Sequence, residues 1–264
     1  MKILFFADIV ARPGREAVEL AIPKLKNKYK PDIIIANGEN IAHGTGLTGE
    51  TVEKLIKSGV DFFTSGNHVW KKQGKELLQD KKVPLIRPAN YPQGVIGDGF
   101  RIINVLTQRI AVVSLIGRTF FKFHYDCPFR EADKIIDYLE SQGCKTVFVD
   151  FHCEATSEAK ALGCYLDGKV SAVIGTHTHI QTSDEQIMKG KTAYITDAGM
   201  CGKKDSILGR NKDEVIEGFL KQESVDSDWD TRWKKALIQG VFLEIDKKGR
   251  AKKIQRISQV IKNP

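Results

Sequence analysis

Five short apolar runs in this chain each end in a side chain able to hold a metal ion or move a proton. Lys2 to Phe6 leads to Asp8, and Asp32 to Ala36 leads to Asn37-Gly38-Glu39-Asn40. Val60 to Thr64 leads to Ser65-Gly66-Asn67-His68, and Val147 to Phe151 leads to His152-Cys153-Glu154. Val170 to Ile174 leads to Gly175-Thr176-His177-Thr178-His179. Runs of that length, rich in Val, Ile and Phe, read as buried strands. In an open α/β sheet the carboxyl ends of the strands line the ligand crevice. Groups far apart in sequence are therefore expected to converge at one rim.

The spaces between the first runs read as helices. Pro13 opens a helical pattern through Tyr29, with proline in the first turn. Thr48 is a plausible N-cap for a helix from Glu50 to Lys57, and a further helix is expected over Val69 to Asp80. This alternation predicts a largely parallel sheet covered by helices. The middle changes character: Phe100 to Leu106 and Ile110 to Ile116 predict a hairpin around a short TQR connection. Arg118 to Arg130 is an aromatic-rich insertion, and Glu131 to Gln142 is a helix. Thr146 to Phe151, Val170 to Ile174 and Thr192 to Thr196 continue the strands. Leu237 to Ile245 and Lys252 to Val260 flank the turn DKKGR as a terminal hairpin. No repeat, low-complexity stretch or linker interrupts the sequence, so a single domain over 1–264 is expected, with a two-layered β-core and helices outside.

Composition narrows the setting. Of 264 residues 41% are hydrophobic and 28% charged, as in a globular protein. No apolar run reaches the roughly 18 residues of a membrane span. The opening MKILFFADIV reads as a first strand rather than a signal peptide. The five cysteines form no CxxC pair, which disfavours a disulfide framework and a thiolate zinc site. A reducing cytoplasm is the expected setting. The net charge of +8 would attract phosphorylated ligands, although no single segment concentrates it.

Singly, each polar cluster has a plainer reading. Asp8 could cap a helix, NGEN and GNH are turn signals, and strand histidines often only form hydrogen bonds. Together the plain readings weaken, because four of the six histidines sit at these strand ends beside Asp8, Glu39, Asn40 and Asn67. In an extended segment His177 and His179 would project to one side. The donor set is oxygen and imidazole without thiolate, which suits manganese, iron or zinc. It is too large for one four-coordinate ion. Two ions sharing a carboxylate would use it, with Glu39 as the bridge. His43 follows NGEN closely enough to reach a substrate, while His124 lies in the insertion. Glu154 could orient an imidazole or begin a helix, and Arg118 could meet a phosphate.

These motifs resemble the calcineurin-like metallophosphoesterase superfamily, which reads D-x-H, G-D, G-N-H-[DE], a single His, and G-H-x-H. The matching residues are Asp8, Gly38-Glu39, Gly66-Asn67-His68, His152, and Gly175 through His179 with Thr176 inserted. Two departures stand out. Asp8-Ile9-Val10 lacks the histidine of the first motif, and Glu39-Asn40 replaces the usual aspartate. Those departures resemble the YmdB-like bacterial 2′,3′-cyclic nucleotide phosphodiesterases, in which an Asn after the Glu stands in for the lost histidine. ADIVARPGR, NGEN, SGNHVW, DFHCEATSE, GTHTHIQT and TDAGMCG carry the likeness along most of the chain.

The resemblance implies a four-layer α/β/β/α sandwich and two divalent ions, iron or manganese. One would take Asp8, Glu39, Asn40 and His179; the other Glu39, Asn67, His152 and His177. Two ions about 3.5–4 Å apart can hold a bridging hydroxide for in-line attack on phosphorus. His68 would then face the substrate as general acid, protonating the leaving ribose oxygen. The implied substrate is a small cyclic nucleotide or an RNA-end phosphodiester, and a homo-oligomer is implied as well. Two other functions remain open on sequence grounds: a metallohydrolase of another ester, and a regulatory or RNA-associated binding protein with little turnover. A dinucleotide-binding domain does not, because no G-x-G-x-x-G follows the first strand.

Overall fold

The computed structural model describes residues 1–223, 229 and 232–263. In chain order the elements begin β1 (Lys2–Phe6), β2 (Asp8–Ile9), α1 (Ala11–Tyr29), β3 (Ile33–Asn37), α2 (Gly49–Ser58), β4 (Phe62–Thr64), a 3-10 turn Asn67–Trp70 and α3 (Gly74–Gln79). There follow β5 (Phe100–Val105), β6 (Gln108–Ile116), α4 (Pro128–Ser141), β7 (Thr146–His152), α5 (Thr156–Tyr165) and β8 (Ala172–Thr176). The chain continues through β9 (Gln186–Ile187), β10 (Ala193–Ile195), β11 (Met200–Lys203), α6 (Lys212–Lys221), β12 (Lys235–Ile245) and β13 (Ala251–Lys262).

Among the described residues, seven strands form one sheet, ordered β2-β11-β12-β1-β3-β4 with β13 also paired to β12. Six form the other, ordered β5-β6-β7-β8-β10-β9. Strands β1, β3 and β4 run parallel, as do β6, β7, β8 and β10. Strand alternation explains the layering. Ile3, Phe5, Ile33 and Ile35 point one way and meet Ile110, Val112, Phe148 and Ile174 of the other sheet. Their neighbours Leu4, Phe6, Ile34 and Ala36 point the other way, onto Val18, Ile22 and Leu25 of α1 and Leu55 of α2. On the far side Val113, Val147 and Val149 meet Ile135 and Leu139 of α4 and Leu162 of α5. The result is the expected α/β/β/α sandwich. Phe5 and Phe148 join the sheets ring to ring, with centroids 5.1 Å apart.

Most expected elements are present with shifted ends. Thr48 caps α2 through a capping box with Thr51. Helix α1 begins at Ala11, two residues before Pro13. The expected Val69 to Asp80 helix is instead the 3-10 turn and α3. The break has a local cause: Lys72 has a φ of 59°, bridges to Leu47, and is followed by Gln73 N–H donating to the Leu47 carbonyl. Helix α6 and the short strands β2, β9 and β11 are elements the pattern did not announce, and α5 is anticipated only as the helix that Glu154 could begin. Strand β2, though short, positions a key carboxylate, since its pairing with β11 fixes Asp8 against Met200.

Candidate metal centre

The carboxyl ends of parallel strands from both sheets meet at one rim. Asp8 lies in β2, Glu39 and Asn40 in the turn after β3, and Asn67 and His68 at the start of the 3-10 turn after β4. His152 is the last residue of β7, and His177 and His179 follow β8. All seven expected ligands and His68 are brought together. Glu39 Oε1 lies 3.2 Å from His152 Nε2 and 3.2 Å from His68 Nδ1. His152 Nε2 lies 3.2 Å from Asn67 Oδ1 and 3.0 Å from His177 Nδ1. On the other side of Glu39, Asn40 Nδ2 is 3.3 Å from Glu39 Oε1, 3.4 Å from Asp8 Oδ1 and 3.4 Å from His179 Nε2. Glu39 Oε1 is therefore the atom where two donor groups touch.

The surroundings fix each imidazole with one nitrogen outward. His179 Nδ1–H donates to the Leu208 carbonyl at 3.0 Å, so Nε2 keeps its lone pair towards Asp8. Thr176 Oγ1–H donates to Asp150 Oδ1 at 2.7 Å, so the same oxygen accepts from His152 Nδ1 at 3.0 Å. His177 Nε2–H donates to Glu154 Oε2 at 3.1 Å. Outer acceptors of this kind set tautomer and orientation in metal sites. They leave the lone pairs of His152 Nε2 and His177 Nδ1 facing each other at 3.0 Å, an arrangement that a cation between them relieves. Ligand atoms of Glu39, His152 and His177 all lie within 4.8 Å of one another.

Electrostatics give the same picture. Asp8, Glu39 and His152 are buried. Burial opposes the charged form of Glu39, but His152 and His68 beside it overcome that and hold its pKa well below the glutamate range. Burial likewise opposes a charged His152, yet Glu39 raises it to about 9. Burial and the neighbouring His152 push His177 down to about 4. Burial, then Asp8, pushes Asp197 up to about 7, and burial raises Asp150 to about 6. A pocket that holds carboxylates and inward lone pairs at this density is built for cationic charge.

The structure corrects one expectation. The histidine pair does not converge by extended alternation. Strand β8 ends at Thr176, and His177 and His179 adopt φ values of 109° and 63°. Two non-glycine residues in this region are costly, and such outliers concentrate at functional sites. They aim His177 at His152 and His179 at Asp8. Asn40 presents nitrogen rather than oxygen to the acceptors, while its Oδ1 accepts from His68 Nδ1 at 2.8 Å. Turning the amide over exchanges the two atoms in the same space, and that orientation is the one an oxygen ligand needs.

Other expectations sort plainly. Glu154 orients His177 and does not start α5. Arg118 is exposed and its backbone N–H donates to Glu158. His43 and His124 are exposed and do not line the site. The supporting roles of Asp150, Thr176, Asp197 and Leu208 went unnoticed in the sequence. Asp150 also accepts from Asn37 Nδ2 at 3.0 Å and from Thr64. Asp197 accepts from Thr178 N at 2.9 Å and Oγ1 at 2.8 Å, pinning the turn between the two histidines. A charge inside the apolar run TVFVDFH, and a further apolar run ending in TDAG, were the signals for these two aspartates. Gly66 leaves room for the cluster: a Cβ there would fall 2.2 Å from His152 and 2.4 Å from Glu39.

A cavity of about 410 Å³ opens over these groups and is lined by Glu39, Asn40, His68, His177 and His179 among others. His68 has a side chain one-third exposed there. A larger concavity of about 930 Å³, between Lys203 and Lys235, contains none of the site residues.

The family model of YmdB-like proteins matches residues 4–257. The chain belongs to the YmdB-like family. It is 46% identical over 260 residues to the 2′,3′-cyclic-nucleotide 2′-phosphodiesterase of Bacillus subtilis strain 168, covering 97% of this chain and 96% of that protein. A solved structure described as a novel phosphatase of Mycoplasma pneumoniae superposes with a TM-score of 0.91 at 32% identity, covering 100% of this chain and 95% of that one. A 5′-nucleotidase precursor of Thermus thermophilus gives 0.59 at 12% identity, covering 99% of this chain and 54% of that one, which speaks to the fold alone. The YmdB-like chain described here has the metallophosphoesterase fold. Among its described residues, no helix is long and apolar enough to cross a membrane.

Proposed function

We propose that this YmdB-like chain is a metal-dependent phosphodiesterase that hydrolyses 2′,3′-cyclic nucleotides, with His68 as general acid. The observation that carries the reading is the set of three imidazoles, each tied outward by its own acceptor and turned inward on the shared Glu39. Asp8, Glu39, Asn40 and His179 would hold one divalent ion; Glu39, Asn67, His152 and His177 would hold the other. Ions there supply charge neutralisation at a phosphoryl oxygen and an activated water. The oxygen and imidazole donors, without thiolate, suit manganese, iron or zinc, and the resemblance to the YmdB-like family narrows that to iron or manganese.

The remaining work falls to the chain. Thr176, Glu154 and the Leu208 carbonyl keep the imidazoles from turning or protonating at the wrong nitrogen. Asp197 holds the His177 to His179 turn through Thr178. His68 is not among the donors proposed for the ions. With the Asn40 amide turned to give its oxygen to an ion, its Nδ2–H donates to His68 Nδ1, which leaves the imidazole proton on Nε2, the nitrogen available to substrate in the cavity. Opening a 2′,3′-cyclic phosphate expels a ribose oxygen, a poor leaving group, and a proton from His68 lowers that barrier. The same site would accept the cyclic phosphate at an RNA end. The reading takes 1–264 as a single domain, of which 224–228, 230, 231 and 264 lie outside the described residues, and it places a homo-oligomer in the cytoplasm.

The test is product analysis. Wild-type protein supplied with manganese or iron should convert 2′,3′-cyclic AMP to a monophosphate, and Asp8→Ala should not. Metal bound without any product would sink the reading in favour of a binding protein. Turnover of a different ester alone would sink the substrate assignment.

A further inference from the structure

The cavity over the metal-ligand cluster has two unlike parts. Beyond the polar groups its lining is apolar: Ile207, Leu208, Val215, Phe219 and Trp229, with Arg210 beside them. Phe219 is 80% exposed and Leu208 40%. Large apolar side chains left open beside a charged floor suit a ligand with an anionic end and a flat apolar end. A mononucleotide has that form.

Trp229 is seated, not loosely placed. A Cβ on Gly44 would fall 2.0 Å from the indole, and one on Gly209 would fall 3.0 Å from it. Both glycines have positive φ, +82° and +95°, which other residues adopt at a cost. Gly44 lies in the loop that also carries Glu39 and Asn40, so the indole is packed against the loop of the shared ligand. The Arg210 guanidinium stands 4.7 Å from the ring centroid, a cation–π arrangement. The Gly44 backbone lies over one face of the indole, and a ring fixed in this way gives up little freedom when a base packs against the part of it that lines the cavity.

The aromatic insertion, although Phe120 and Phe123 are exposed, lies outside this cavity. Phe121 stands 4.9 Å from the His177 ring and 5.9 Å from Tyr125, packed onto the site's own groups. No described residue of 118–130 lines the 410 Å³ cavity.

We propose that Trp229, with Phe219 and Arg210, forms a nucleobase subsite beside the metal-ligand cluster. This rests on the reading of the adjoining cluster as a nucleotide phosphodiesterase site. Stacking on an aromatic side chain accounts for about a ten- to hundredfold gain in affinity per base.

The experiment is equilibrium binding to the full-length, metal-loaded protein, which does not depend on turnover. Adenosine 3′-monophosphate, uridine 3′-monophosphate and glycerol phosphate are titrated against wild type, Trp229→Ala, Trp229→Phe and Phe219→Ala. Adenosine 3′-monophosphate should weaken about ten- to hundredfold in Trp229→Ala, less in Phe219→Ala, and least in Trp229→Phe, which keeps a ring. Glycerol phosphate should bind all four alike. Equal weakening of adenosine 3′-monophosphate and glycerol phosphate in Trp229→Ala, or no difference between the nucleotides and glycerol phosphate in wild type, would overturn the proposal. Base-dependent binding without hydrolysis of 2′,3′-cyclic AMP would uphold the subsite and reject the phosphodiesterase reading instead.

Discussion

Replacing His68 by alanine should separate chemistry from metal binding. The backbone N–H of His68 donates to Glu39 Oε2 at 3.0 Å, and alanine keeps that bond. What is lost is the imidazole, with its contacts at 2.8 Å to Asn40 and 3.2 Å to Glu39. The side chain is 33% exposed, so the fold should lose no more than about 1 kcal/mol. Metal content should stay as in wild type, since no proposed ligand has changed. The rate should fall ~10²–10⁴-fold on 2′,3′-cyclic AMP, about 3–5 kcal/mol in barrier height. The assay adds a second substrate, a phosphodiester of 4-nitrophenol, whose leaving phenolate needs no proton. There His68→Ala should lose far less. A general acid is recognised by that contrast. An equal loss on both substrates would refute the acid role and make His68 a positioning or binding group.

Three further outcomes test the site's construction. Thr176→Val removes the link between His152 Nδ1 and Asp150, and should weaken metal binding about 10–100-fold by titration while the fold persists; unchanged affinity would show that the relay does not matter. Gly66→Ala places a methyl within 2.4 Å of His152 and Glu39, and should abolish stoichiometric metal binding, as elemental analysis of the purified variant would reveal. Burial pushes the Cys201 thiol up to about 12 and Cys153 well above the ordinary range, whereas Cys164 is exposed. Alkylation of native protein at neutral pH should therefore label Cys164 first and spare Cys153 and Cys201, read by peptide mass; early labelling of Cys201 would contradict the packing around β11.

The strand ends were legible because the chemistry there is incongruous. Asp8, Glu39, His152 and His177 follow apolar runs that promise a core, and charged groups beside a core call for a reason. The layering was legible for the same cause: alternate residues such as Ile3 and Leu4 are both apolar, so β1 had to be covered on both faces. Helix α6 was not legible, because Ile216, Phe219 and Leu220 are exposed and no buried stripe marks it. Strand β2 has only two residues, too few for any period. The outward partners of the histidines were hidden for a different reason. Leu208 acts through its carbonyl and Thr176 through geometry that exists only once β7 and β8 pair, so neither residue type signals its role. The left-handed backbone at His177 and His179 is likewise a product of the fold.

If two donor groups meeting at Glu39 make a metal-dependent phosphodiesterase, occupancy and turnover must rise together. The most direct measurement is a titration of metal-free protein with manganese, following bound metal and 2′,3′-cyclic AMP hydrolysis in the same samples. Activity should rise with occupancy and reach its plateau at two ions per chain. Full occupancy without hydrolysis, or a plateau at one ion that Asp8→Ala leaves untouched, would contradict a dinuclear phosphodiesterase.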